Sequence, residues 1–181
     1  MDEMDLLEPA TAAGLNSVVE QRPVLIPQTG ELVIPNENFR FAATGNTAGA
    51  GDTTGLYQGA LRQNLALMDR FRLVQVSYPE PATEQSILAK TAPLIESSIR
   101  EKMITVANEI RRLFMGESED TAAIEVTMST RCLVRWAHLA LAFKGAPLSY
   151  SLDRALTFRA HPETREALHQ IVQRFFGSAS L

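Results

Sequence analysis

The sequence predicts an α/β segment over residues 1–80 followed by an all-helical segment over 81–181. Three observations carry this. Seven of the ten glycines (Gly14, Gly30, Gly45, Gly49, Gly51, Gly55 and Gly59) fall in the first segment and interrupt short apolar runs. The other three (Gly116, Gly145 and Gly177) punctuate long stretches of helical spacing. Tyr78-Pro79-Glu80-Pro81 marks the joint, because two prolines that close break either kind of element.

The elements follow in order. Pro9 suits the first turn of a helix whose apolar face is Ala12, Leu15, Val18 and Val19. Val24-Leu25-Ile26-Pro27 and Glu31-Leu32-Val33-Ile34 flank Gln28-Thr29-Gly30, which predicts a hairpin over 23–35 with glycine in its turn. Pro23, Pro27 and Pro35 suit edge positions, so the hairpin is expected to project. A strand over Phe39–Thr44 runs into the glycine-rich loop 45–55, and a helix over 57–68 and the strand Leu73–Val76 follow. Helices are then expected near 83–91, 93–115, 129–144, 150–159 and 163–176. Leu133, Trp136, Ala140 and Phe143 make one apolar stripe, and Leu168, Ile171, Val172 and Phe175 another. Gly116, Gly145 and Gly177 stand at C-cap positions.

Composition bounds the function. The chain has 181 residues, 45% of them hydrophobic, which is enough for one domain or two small ones with a packed core. Cys132 is the single cysteine, which excludes an internal disulfide framework and a multi-cysteine zinc site and fits a reducing compartment. No apolar run approaches the ~20 residues of a bilayer span, and the Met1-Asp2-Glu3-Met4-Asp5 start is acidic where a signal peptide is basic. The net charge of −4 argues against nonspecific nucleic-acid binding. These features predict a cytoplasmic protein without a nucleic-acid or membrane partner.

Few residues could carry chemistry. An adjacent Asp2-Glu3 pair is what a magnesium-dependent nucleotidase uses to hold the metal shell and polarise the attacking water; alone, the pair equally fits a solvated chain start. Asn46, just after the Phe39–Thr44 strand, could orient a water beside a γ-phosphate, or simply be a turn asparagine between Gly45 and Gly49. The 45–55 loop fits neither phosphate-binding pattern. Counted from Gly45, Ala50 stands where the second glycine of G-x-x-x-x-G-K-[ST] belongs, and after Gly51 comes Asp52 instead of lysine. Gly49-x-Gly51 is followed by Thr54 where the dinucleotide fingerprint needs its third glycine. Arg70, in Met68-Asp69-Arg70-Phe71, could stabilise charge on a phosphate across a subunit boundary, or pair with Asp69 at the surface. Arg131 could reach phosphates from the helical segment, or lay its stem over apolar surface. His138, His161 and His169 show no metal-ligand spacing, and Cys132 reads as a small core residue.

Taken together, Asp2-Glu3-Met4-Asp5, Phe39-Arg40 through Thr44-Gly45-Asn46-Thr47, Gly51-Asp52-Thr53-Thr54-Gly55-Leu56-Tyr57 and Met68-Asp69-Arg70-Phe71 resemble the second half of a MoxR-type AAA+ ATPase. The similarity is greatest to the small ATPase subunits of aerobic cobaltochelatases. It continues through Met128-Ser129-Thr130-Arg131, Arg135-Trp136-Ala137 and Gln173-Arg174-Phe175-Phe176-Gly177, so it covers nearly the whole chain. Thr130, Phe71 and Gln58 depart from that subunit type, which usually has proline, often tryptophan and often histidine there.

The resemblance implies the C-terminal part of an AAA+ αβα core (residues 1–80), with the 23–35 hairpin as the insertion before sensor 1, then an α-helical lid (residues 81–181). It implies ATP and Mg as cofactors, with Asp2 holding Mg through water, Glu3 polarising the water and Asn46 as sensor 1. Arg70 would be the arginine finger and Arg131 the sensor 2 residue of the lid. It further implies a homo-oligomeric ring, commonly a hexamer, working with a von Willebrand A domain protein to remodel a partner protein or metal-chelatase complex. The P-loop is not among these residues, so a fragment beginning within Walker B is expected, inactive alone. The alternative is a non-hydrolysing interaction subunit that donates Arg70 to an intact neighbour.

Overall fold

The computed structural model describes residues 1–116 and 124–177 and divides into two compact units, Met1–Gln75 and Val76–Leu181. The first unit has little regular structure. A 3-10 turn at Met4–Leu6 leads to α1 (Pro9–Ala13) and α2 (Asn16–Val19). The single helix expected there divides at Gly14, where Gly14 N–H and Leu15 N–H bond the carbonyls of Thr11 and Ala12 at 3.0 Å each and tighten the turn. β1 (Val24–Ile26) and β2 (Glu31–Val33) form the expected antiparallel hairpin, in register Val24–Val33, Leu25–Leu32 and Ile26–Glu31.

Three expected elements are absent or shorter. Phe39–Thr44 forms no ladder strand: beside it runs only the first stretch of chain, with Thr44 N–H on Met1 O at 3.0 Å and Met4 N–H on Thr44 O at 2.8 Å. Leu73–Val76 is β-rich in composition but has no ladder partner among the described residues, and Leu73, Val74 and Val76 are exposed; propensity does not supply a neighbour. The helix expected over 57–68 contracts to α3 (Leu65–Met68), which starts where Asn64 caps it by accepting Ala66 N–H at 2.8 Å. Residues 60–63 instead run back along the glycine loop, with Gln63 N–H on Gly49 O at 2.9 Å and an Ala50–Arg62 bridge. Gly49 has φ +78°, and a Cβ there would lie 2.7 Å from Met68 Sδ, so this crossing needs glycine. A small core of Met4, Ala12 and Leu67, flanked by Leu7, Val19, Phe41, Ala43, Met68 and Phe71, holds the unit.

The second unit is helical: α4 (Pro81–Thr91), α5 (Ser97–Phe114), α6 (Thr130–Ala142), α7 (Leu148–Ala155), a 3-10 turn at Thr157–Arg159, and α8 (Pro162–Phe176). The helix expected from residue 93 starts at Ser97, because Pro93 turns Ala92 away from helical geometry (φ −134°, ψ 60°). The helix expected over 150–159 ends at Ala155, and Leu156 (φ −140°, ψ −56°) separates it from the 3-10 turn. Trp136 is fully buried and satisfied, its indole N–H on Leu148 O at 3.0 Å and Ser151 Oγ at 3.1 Å, with Phe176 edge-on at 6.2 Å. Leu133 and Ala140 share its buried stripe, whereas Phe143 lies past the helix end and is exposed. Leu168 and Val172 are buried on α8, with Ile171 and Phe175 partly buried against the same core. Gly177 closes α8 at φ +59°.

Candidate functional site

In the glycine-rich loop the Asp52 carboxylate closes a turn on the residues that follow it. Asp52 Oδ1 accepts Thr54 N–H (2.9 Å), Thr54 Oγ1–H (3.0 Å) and Gly55 N–H (2.8 Å), and Oδ2 accepts Tyr57 N–H (3.0 Å). Desolvation opposes the charge, but these bonds outweigh it and hold the Asp52 carboxyl below the usual aspartate value. The amides that a phosphate would need are already engaged by a carboxylate, which is why this glycine-rich run is not a phosphate cradle.

Beside it, the opening residues and the 44–47 segment are stitched together. Thr44 Oγ1–H donates to Asp2 Oδ1, and Glu3 N–H donates to Thr44 Oγ1 at 3.1 Å. Glu3 sits in the left-handed region (φ 51°, ψ 49°), which non-glycine residues rarely occupy, and it is exposed. Asp5 is buried, 2% exposed; its Oδ2 accepts Asn46 N–H at 2.7 Å, Thr47 N–H at 3.1 Å and Thr47 Oγ1–H at 3.2 Å. The structure therefore brings Asp2, Glu3 and Asn46 onto adjoining segments, with Asn46 exposed at the loop start.

Arg70 lies elsewhere in the first unit, just past α3. Its Nε donates to Glu20 Oε1 at 2.6 Å and its Nη1 to the Ala66 carbonyl, and Arg22 holds the other Glu20 oxygen at 2.8 Å. The partner is thus Glu20, fifty positions away in the chain, and not the adjacent Asp69. Arg131 belongs to the second unit, exposed at the second residue of α6, whose start is capped by Ser129 Oγ accepting Cys132 N–H at 3.1 Å.

That helix start is tied to a buried ion pair absent from the sequence reading. Arg111 (2% exposed) donates to Glu84 (fully buried) through Nη2–Oε1 at 2.6 Å and Nη1–Oε2 at 2.8 Å. Its Nε reaches Met128 O at 2.7 Å and its Nη1 also reaches Asn108 Oδ1 at 2.8 Å; Thr130 Oγ1–H joins Glu84 Oε1 at 2.8 Å. Tyr78 lies over the guanidinium at 4.4 Å and shares a hydrogen bond with Thr127 at 2.7 Å. The pair is bidentate and satisfied, the condition under which a buried charge is tolerated. Glu84 lies one turn before buried Leu88 on α4 and Arg111 one turn after buried Ala107 on α5, so each half sits on the buried face of its helix.

Cys132 is buried, with its thiol pushed up by desolvation against the opposing effect of Arg159 and Arg135, and it contacts Ala155 O at 3.3 Å as a core residue. His138 meets Thr91 O at 2.9 Å, and His169 meets Asp153 at 2.6 Å. Among the described residues no three His, Cys, Asp or Glu are grouped to hold a metal, and no helix is long and apolar enough to cross a membrane.

The CbbQ/NirQ/NorQ C-terminal family model matches residues 84–175, just over half of the chain. The chain belongs to this family. An aerobic cobaltochelatase subunit, CobS of Sinorhizobium sp, is 34% identical over 183 residues, covering 97% of this chain and 53% of the relative. Midasin of Dictyostelium discoideum is 27% identical over 139 residues, covering 76% of this chain and 2% of midasin. YojN of Bacillus subtilis is 26% identical over 133 residues, covering 72% of this chain and 41% of YojN. The CbbQ-type chain thus spans about half the length of the cobaltochelatase subunit. The family match and the CobS likeness make it a MoxR-like AAA+ chain, α/β in its first unit and helical in its second.

Proposed function

We propose that this chain is the C-terminal part of an AAA+ ATPase that couples ATP hydrolysis to remodelling of a partner protein or metal-chelatase complex. The observation that carries the proposal is the adjoining placement of Asp2, Glu3 and Asn46, tied together through Thr44 and Asp5. In this reading Glu3 takes the proton of the attacking water, and Asn46 orients that water. Asp2 holds the magnesium shell through water. Its single exposed carboxylate suits an ion that keeps its waters and takes its other oxygens from phosphates. Bound MgATP supplies the phosphoryl group and its charge neutralisation. Arg131 acts as sensor 2 from a lid formed by the second unit. Arg70 acts as the arginine finger once it leaves Glu20 and the Ala66 carbonyl, contacts made by partly exposed side chains. The ring is a homo-oligomer, commonly six subunits, in the cytoplasm, with a von Willebrand A domain protein as partner.

The Asp52 loop is self-filled, and the phosphate cradle is expected to come from outside residues 1–181. This chain alone is therefore expected to turn over no ATP. Steady-state MgATP hydrolysis tests the proposal: Glu3→Gln in the full-length protein removes turnover, and unchanged turnover overturns it. Restored activity on adding residues 1–181 to a relative lacking its own arginine finger would favour the non-hydrolysing donor role instead.

A further inference from the structure

We propose that Asp5 is a positioning residue that fixes Asn46 beside Glu3 by anchoring the 45–47 backbone; this rests on Asn46 being the water-orienting amide. Asp5 is nearly fully buried, and a buried carboxylate is costly unless hydrogen bonds compensate. Every hydrogen bond its side chain accepts comes from Asn46 or Thr47, at 2.7 to 3.2 Å, all on Oδ2. Oδ1 is buried with no partner among the described residues, so the hydrogen bonds seen to offset this buried charge all come from the 46–47 segment. The loop approaches closely because residue 45 is glycine: a Cβ there would lie 3.3 Å from the Asp5 carboxyl carbon. Asp5 is itself pinned, its carbonyl accepting Leu61 N–H at 2.7 Å, and it follows Glu3 by two residues within the same turn. Asn46 is exposed on a loop, so packing does not fix its side chain; the position of its backbone does. An amide that must hold a water in line tolerates little displacement, and a shift of about 1 Å costs about 100-fold in rate.

The test is single-turnover and steady-state MgATP hydrolysis by the full-length protein with Asp5→Ala, Asp5→Asn, Asn46→Ala and the Asp5→Ala/Asn46→Ala double substitution. Asp5→Ala and Asn46→Ala are each expected to lower kcat about 100-fold with KM nearly unchanged, and the double substitution to be no slower than the slower single one. Asp5→Asn keeps an oxygen facing the three donors and is expected to recover most of the rate. A purely structural Asp5 would give losses that multiply in the double substitution, or an Asp5→Ala rate close to wild type, and either overturns the proposal. A wild-type protein without turnover, or an Asn46→Ala protein that hydrolyses normally, overturns the reading of Asn46 itself. The anchoring is then judged separately by amide exchange at Asn46 and Thr47: protection lost in Asp5→Ala supports it, and unchanged exchange overturns it.

Discussion

Removing the Glu84 carboxylate should strongly destabilise the helical unit. Glu84→Ala leaves Arg111 with its Nη1–Oε2 and Nη2–Oε1 contacts empty inside a core where its side chain is 2% exposed; only Met128 O and Asn108 remain. Thr130 also loses its acceptor at the start of α6. Breaking a buried pair this way costs about 3–5 kcal/mol. At roughly 4 °C or more per kcal/mol for a unit of this size, the melting temperature falls by at least about 12 °C. The assay is urea or thermal unfolding followed by fluorescence of Trp136, the only tryptophan, which lies buried in the same unit and so reports it selectively. Replacing both partners with methionine removes the stranded charge and should recover most of the loss. A Glu84→Ala cost under about 1 kcal/mol, or a double substitution as unstable as the single one, would refute a buried, satisfied pair.

Glu125 accepts His161 N–H at 2.6 Å and Thr164 Oγ1–H at 2.7 Å at the start of α8; desolvation opposes the charge, but these bonds hold its carboxyl below the ordinary value of 4.5. Because the folded value is the lower one, its stabilisation is present above pH 4.5 and drains away as pH falls through the folded value; Glu125→Gln should flatten that slope in denaturation midpoints taken from pH 7 downward. Gly49→Ala drives a methyl onto Met68 at positive φ and should destabilise the first unit by about 1–3 kcal/mol, read as faster amide exchange over 45–71, with partial rescue by Met68→Ala. Glu20→Gln removes the charge that Arg70 and Arg22 share, so on the proposed function MgATP hydrolysis by the full-length protein should be kept or raised; lost hydrolysis would show that the Glu20 contact is needed.

The helices of the second unit were legible because their boundaries are chemically marked: Pro81 and Pro162 at first turns, Ser129 as a cap, Gly177 at a stop, and Leu133, Trp136, Leu168 and Val172 on buried stripes. In the first unit the 23–35 hairpin was legible from its turn glycine, Gly30, but the other two expected strands were not, because a strand is completed by its neighbour. Phe39–Thr44 and Leu73–Val76 have the composition without a ladder. The self-closed 52–57 loop was readable in principle, since Asp52-Thr53-Thr54-Gly55 is an Asx-turn pattern. Asp5 stood out only as part of the Asp2-Glu3-Met4-Asp5 run, because nothing in its neighbours Met4, Leu6 and Leu7 shows that residues 46 and 47 fold back onto it. Arg70's partner was hidden for the same reason: neighbours in sequence such as Asp69 do not face it, and Glu20 reaches it only through the fold.

The central claim, that Asp2, Glu3 and Asn46 line a hydrolytic nucleotide site, is tested most directly by measuring MgATP turnover and nucleotide binding of the full-length protein with Glu3→Gln. Binding is expected to be retained while turnover falls by about 100-fold or more, as when the group that activates water is lost. Turnover equal to wild type with folding intact would contradict it.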